Sequence, residues 1–270
     1  MPGITVDIDP VIFHVGGFGL RWYGLAFAGG IALAAYLSQR EAKRAGLDTA
    51  KVSNVAFWAV LGGLIGARLF HVVDRFDYYV DNLTQALMIT QGGLAIWGGL
   101  LTGGLVALFV ARREGLPGWK LADATAIGLV AGQMVGRVGC LINGDSYGAA
   151  TGLPWGLVYV NPGAMVPDDL RGVPTHPYPA YEILLNAVLL AALLYLRRRP
   201  LKEGALFLTY VSVYALVRLL LTIVRQESAV ISGLQQAQVV SLVALAAAAV
   251  GWAYVLSRRP LPGSVGNRPS

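Results

Sequence analysis

Residues 237–256 read AQVVSLVALAAAAVGWAYVL, 20 residues without a charged side chain. A helix of about 20 predominantly apolar residues is what spans the hydrocarbon core of a bilayer. The run is continuous rather than alternating, so it predicts a helix and not the strand of a β-barrel. Working back along the chain, six more segments have this character, at 18–38, 52–73, 92–111, 121–143, 179–196 and 204–225. Composition agrees: 56% of the 270 residues are hydrophobic and 13% charged, against about 25% charged in a soluble domain. There is too little charge to surface a soluble core of this size, and too much apolar content for disorder. The single cysteine, Cys140, excludes a disulfide scaffold. The predicted fold is an all-α polytopic membrane protein of seven transmembrane helices, one integral-membrane domain over 1–270. Gly62, Gly63 and Gly66, with Gly99, Gly103 and Gly104, supply the small residues that let such helices approach closely.

The loops carry the orientation. Arg40, Lys43, Arg44 and Lys51 lie between the first two spans, Arg112, Arg113 and Lys120 between the third and fourth, and Arg197, Arg198, Arg199 and Lys202 between the fifth and sixth. With Arg258, Arg259 and Arg268 in the tail, these are 14 of the 21 lysines and arginines. The opposite connections hold Arg75 and Arg171 among the acids Asp74, Asp77, Asp81, Asp145, Asp168, Asp169 and Glu227. The positive-inside rule then puts the N-terminus outside and the C-terminus in the cytoplasm. Asp7 and Asp9, with no basic cluster, precede the first span, so it reads as a retained helix and not a cleaved signal. The basic residues form four short clusters with no nucleic-acid motif, which excludes nucleic acid as a partner. The long connection at 144–178 is rich in Gly, Pro and Asp and predicts a small extracytoplasmic cap.

The charges inside the spans point to function. An arginine at the bilayer centre costs about 2.5–3.5 kcal/mol on insertion scales and needs a partner or a use. At a rise of about 1.5 Å per residue, Arg68, Arg137 and Arg218 lie roughly 8–10 Å below the outer ends of their helices. Tyr23, Trp97, Glu182 and Tyr214 fall in the same layer, and Tyr214, Arg218 and Arg225 follow one helical stripe. Arg21 and Arg225 also read as interfacial side chains. Asp123 lies near the inner end of its helix, too deep to serve Arg137, and reads as a structural contact. Glu182 and Asp145 do not balance these guanidiniums, so an anionic ligand is expected. Forked donors suit phosphate, and an outer-leaflet phospholipid offers one at that depth. Three scattered histidines and one cysteine have no metal-ligand spacing, so neither metal nor cofactor is predicted.

The stretch Gly136-Arg137-Val138-Gly139-Cys140-Leu141-Ile142-Asn143-Gly144-Asp145-Ser146-Tyr147-Gly148 resembles the signature of bacterial prolipoprotein diacylglyceryl transferases. Further matches follow in family order: Asp9-Pro10 to Phe13, Arg21-Trp22-Tyr23-Gly24, Gly66-Ala67-Arg68, Gly92 to Gly99, His176-Pro177 and Tyr181-Glu182. Tyr214, Arg218, Arg225, Gln238 and Ser241 complete the set. The resemblance implies transfer of the diacylglyceryl group of phosphatidylglycerol to the lipobox cysteine of a preprolipoprotein signal peptide, with release of glycerol-1-phosphate. It implies a multi-pass protein of the bacterial cytoplasmic membrane. Arg137 and Arg218 would hold the phosphate, oriented by Arg68 and Glu182. Tyr23 and Tyr214 would bond ester or glycerol oxygens, and Asn143 and Gly148 would shape the signature loop.

Four positions depart from the family pattern. Trp97 stands where many members have a histidine proposed as base, and Cys140 where the signature has asparagine. Asp145 and Thr222 each replace a glutamate. Asp145, His71 and His176 are the remaining candidate bases. Trp97, Cys140 and Arg225 stay among the expected substrate contacts. A second reading, motivated by these departures, is a relative that binds or moves anionic phospholipid without transferase activity. A solute transporter would show inverted repeats or helices broken at the midplane, and neither is visible.

Overall fold

The computed structural model describes residues 3–16, 18–86, 93, 95–225, 229–231 and 233–258. Gly92, Leu94, Glu227, Arg259 and Arg268 therefore lie outside the described residues. Seven long helices match the expected apolar segments: α1 (Trp22–Arg44), α2 (Thr49–Asp74), α5 (Ile96–Arg113), α6 (Gly118–Asn143), α7 (Tyr178–Leu196), α8 (Ala205–Leu221) and α9 (Gln236–Ser257). Short helices α3 (Phe76–Val80) and α4 (Leu83–Ala86) lie between α2 and α5. Five helices, α2, α5, α6, α7 and α9, are long and apolar enough to cross a membrane, and α8 is apolar but shorter. Their outer faces are bare hydrocarbon: Leu184, Val188, Leu105 and Val250 are among many large apolar side chains left exposed, the pattern of a protein solvated by lipid. The chain is a polytopic membrane protein.

Helix ends differ from the sequence expectation for local reasons. Phe18–Arg21, expected inside the first span, is strand β3, paired antiparallel with β2 (Val11–Val15). The helix begins only at Trp22, whose N–H donates to the Pro10 carbonyl at 3.1 Å. The third span starts at Ile96 and not at 92, because Gly93 is left-handed (φ 76°) and the Ala95 N–H is taken by the Ala67 carbonyl at 3.0 Å. Helix α8 stops at Leu221, short of 225: the next three amides bond three residues back, and the Thr222 hydroxyl donates to the Leu219 carbonyl at 2.5 Å. That tightening ends an α-helix. Arg225 therefore lies beyond the helix and off the stripe expected for it.

The end at which α1 begins is called the upper end below. Helices α1 and α6 pack antiparallel along their length, with Gly30 against Gly132, where a Cβ on either would come 2.6 Å from the other's carbonyl oxygen. Helices α2 and α5 form a second antiparallel pair, Gly63 lying against Gly99 and Gly103 while the Thr102 hydroxyl donates to the Gly62 carbonyl at 3.1 Å. The pairs meet at the lower end through Ala42, Val52, Val55, Ala111, Leu121 and Ala124. Helices α7, α8 and α9 complete the bundle beside α6. Between α5 and α9 runs an open apolar groove of about 540 Å³. At the lower end Asp123 accepts from the Gly204 and Phe207 amides at 2.7 and 2.9 Å. It caps the start of α8, a structural contact.

The 144–177 connection builds a small cap with its own core of Leu157, Tyr159, Ala164 and Val166, shared with Val6. Strand β1 (Ile4–Val6) pairs in parallel with β4 (Leu157–Tyr159), so the N-terminal residues belong to this cap. With β5 (Ala229–Ile231) and β6 (Leu234–Gln235), six short strands occur outside the helices among the described residues, and none is long enough to span.

Candidate functional site

Three helix ends converge at the top of the bundle. Helix α6 brings Arg137, α7 brings Tyr178 and Glu182, and α8 brings Tyr214 and Arg218. Glu182 is fully buried, and one of its carboxylate oxygens receives Arg137 Nε at 2.8 Å and Arg218 Nη1 at 3.4 Å. Its other oxygen accepts from the Tyr214 hydroxyl at 3.2 Å. Two guanidiniums share one carboxylate, which leaves one positive charge in a low-dielectric layer. Breaking such a buried set by removing one partner costs about 3–5 kcal/mol.

Tyr178, which the sequence does not single out, is at the centre. Its ring lies 6.0, 5.8 and 4.9 Å from the guanidinium carbons of Arg137, Arg218 and Arg225, within the range of cation–π attraction. Arg218 also donates to its hydroxyl. The one signal in the sequence is spacing: Tyr178 precedes Glu182 by four residues and so shares its helix face. Arg225 reaches this ring from the irregular chain after α8. The start of α9 holds that chain, since Gln235 Nε2 donates to the Arg225 carbonyl at 3.1 Å and Gln238 Nε2 to the Thr222 hydroxyl at 3.2 Å. Thr222, in place of a glutamate, thus has a partner.

The other side of Arg137 faces the signature loop. Its Nη1 approaches the Ser146 hydroxyl at 3.4 Å and the Cys140 sulfur at 3.8 Å. Asn143 Nδ2 donates to Asp145 Oδ1 and to Met165 Sδ, both at 3.1 Å. Gly144, left-handed at φ 76°, ends α6 and turns the chain into this loop, the usual role of a glycine just past a helix end. Gly148 threads between two strands of chain: its N–H donates to the His176 carbonyl at 3.1 Å, and a Cβ would sit 2.6 Å from His176 Cβ and 2.7 Å from the Val224 carbonyl oxygen. Tyr23 flanks the loop from α1, packed where Gly139 leaves room. The Tyr159 hydroxyl ties the cap to the last turn of α6 through the Leu141 carbonyl at 2.8 Å. Burial, with the nearby Asp145 charge, pushes that phenol's pKa upward.

Arg68 and Trp97 stand elsewhere in the layer. Arg68 donates to the Gly93 and Gln85 carbonyls at 2.9 and 2.5 Å and lies over the Tyr79 ring. His71 packs against the same Tyr79 ring. Trp97 lines the apolar groove with Leu101, Leu105 and Leu108 of α5 and with Val239 and Val243 of α9. His176 neighbours the Tyr181 hydroxyl at 3.3 Å, which also accepts from Trp155.

One helical turn beneath Arg137, Glu182 and Tyr214 lie Gln133, Asn186 and Tyr210, each four residues from the residue above it. Gln133 Nε2 donates to the Tyr210 hydroxyl at 2.8 Å. Asn186 is fully buried, and neither amide atom has a hydrogen-bond partner among the described residues.

Known proteins are similar in sequence to this chain over nearly its whole length. The family model described as prolipoprotein diacylglyceryl transferase matches residues 10–254. A phosphatidylglycerol–prolipoprotein diacylglyceryl transferase of Nostoc sp. is 36% identical over 264 residues, covering 95% of this chain and 93% of its own. Enzymes of the same name from Thermosynechococcus vestitus and Clostridioides difficile are 35% and 33% identical over 265 and 248 residues. These two cover 97% and 92% of this chain, and 96% of their own in each case.

Proposed function

The chain belongs to the prolipoprotein diacylglyceryl transferase family, and from that membership we infer that it moves the diacylglyceryl group of phosphatidylglycerol onto the lipobox cysteine of preprolipoproteins. Relatives named as transferases support this over a lipid carrier without activity. The observation that carries the reading is the Arg137–Glu182–Arg218 set: a fully buried carboxylate holding two guanidiniums in place with one positive charge to spare.

In the reaction the thiolate sulfur bonds to the glyceryl carbon while the bond from that carbon to the phosphate oxygen breaks. Both bonding electrons leave with glycerol-1-phosphate. Negative charge therefore builds on phosphate, which Arg137 and Arg218 meet with donors already held in position. Glu182 and Tyr178 orient those donors. Glu182 does not take the thiol proton, since one oxygen is occupied by Arg137 and Arg218 and the other by Tyr214. Asp145, half-buried and steadied by Asn143, is the carboxylate beside the loop that accepts it. Tyr23 and Cys140 flank the approach of the thiol, and Gly148 keeps the loop closed down on His176 and Val224. The groove beside Trp97 takes acyl chain, so the lipid enters sideways from the bilayer; Arg68 steadies the chain at the head of that groove.

All seven long helices cross the membrane in this reading, with the upper end outside a bacterial cytoplasmic membrane. Purified protein in phosphatidylglycerol vesicles with a lipobox peptide should yield the thioether-linked diacylglyceryl peptide by mass spectrometry. Absence of product where a relative works would refute the transfer. Cysteines placed at 198–202 should label from the cytoplasmic side only, and labelling from outside would refute the orientation.

A further inference from the structure

The lower end of α1 carries an open surface cavity, of about 690 Å³, lined by Tyr36, Gln39, Arg40, Lys43 and Arg44 with Thr49 of α2. Tyr36, Gln39, Arg40, Lys43 and Arg44 recur at three- and four-residue intervals, so they share one helix face. Three acids at this end are already engaged, Glu41 in part by Arg44 itself. Glu41 binds Arg197 and lies 3.8 Å from Arg44, Asp48 caps α2 by accepting from Ala50, and Glu114 accepts from Asn54 at 2.7 Å. Arg40 and Lys43 have no ion pair among the described residues. Above the cavity the same exposed stripe continues through Ala32, Gly29 and Leu25. The small side chains at 29 and 32 leave a shallow track, with the Tyr36 ring at its foot. Retention of positive charge on one membrane side explains why basic residues occur here. It does not require them to gather on one face around a cavity beneath an apolar track.

We propose that this cavity binds the phosphate of an anionic phospholipid in the leaflet opposite the Arg137–Glu182 site. Arg40, Lys43 and Arg44 hold the headgroup, and one acyl chain lies along α1 past Tyr36 and Ala32. Chemistry selects this ligand: phosphate for forked and point cations in combination, hydrocarbon for the track. The proposal stands apart from the transferase reading and from the membrane orientation.

The test uses the full chain in phosphatidylcholine nanodiscs doped with phosphatidic acid that carries a photoactivatable diazirine near the headgroup. Adducts are mapped by peptide mass spectrometry. They are expected on 36–49. Each basic residue near an anionic lipid is worth about fivefold in affinity, so Arg40→Gln with Lys43→Gln should cut these adducts roughly thirtyfold. Thermal unfolding of that variant near the wild-type midpoint should report a folded protein. Ala32→Trp, which blocks the track and leaves the charge, should also lower adducts on 36–49. Equal labelling by the choline analogue, or undiminished labelling in the double variant, would overturn the proposal. Displacement by millimolar inorganic phosphate would assign the cations to a soluble phosphate and overturn the lipid.

Discussion

Replacing Arg137 by lysine separates the two jobs of that side chain. Its Nε holds the buried Glu182 at 2.8 Å while Nη1 faces Ser146 at 3.4 Å and Cys140 at 3.8 Å. A lysine ammonium keeps the charge, so Glu182 is not stranded and the penalty of about 3–5 kcal/mol for an unpaired buried charge is avoided. One ammonium cannot both hold Glu182 and present a donor on the loop side. Loss of one preorganised donor to a developing oxyanion costs about 2.7–4 kcal/mol. At about 1.36 kcal/mol per decade this is a drop in kcat of roughly 100- to 1000-fold. The assay is lipid transfer to a lipobox peptide in phosphatidylglycerol vesicles, with thermal unfolding in parallel. The variant should unfold near the wild-type midpoint and turn over two to three orders of magnitude more slowly, with KM little changed. A kcat within about one order of magnitude of wild type would show that only charge matters, and would refute the forked-donor argument.

Tyr178→Phe keeps the ring among the arginines and removes the hydroxyl that accepts from Arg218. A hydrogen bond to a charged group contributes about 1.5 kcal/mol or more, so kcat/KM should fall by about tenfold with little change in unfolding midpoint. Asn186→Leu removes a buried amide with no partner among the described residues. Replacing such a group by an apolar one of like size is neutral or stabilising, and a clear loss of thermal stability would mean the amide is satisfied in the membrane. Asp123→Ala deletes the acceptor for the Gly204 and Phe207 amides. It should cost about 1–2 kcal/mol of stability and leave transfer kinetics of the folded protein unchanged.

Part of the arginine cluster is legible in the amino-acid sequence. Arg137, Arg218, Glu182 and Tyr214 fall in one layer because depth follows from helix register and the bilayer limits where a charge can sit. Tyr178 escapes that reasoning because a tyrosine at a helix start looks like an interfacial anchor; only convergence of α6, α7 and α8 shows three arginines around its ring. Arg225 reaches the expected neighbourhood by a different geometry, since the chain leaves the helix at Leu221 and α9 carries the residue back.

The spans themselves are written in composition and periodicity. Hydrocarbon has no groups to satisfy a bare backbone, so a run such as 237–256 has one way to cross and announces it locally. Contacts between distant segments are not local. The pairing of residues 4–6 with 157–159, the capping of α8 by Asp123, the groove between α5 and α9, and the cavity on α1 all depend on which helix lies beside which. In lipid that choice is made by close packing of small side chains and by satisfaction of buried polar groups. Those terms exist only once Gly30 meets Gly132 and Glu182 meets its two arginines.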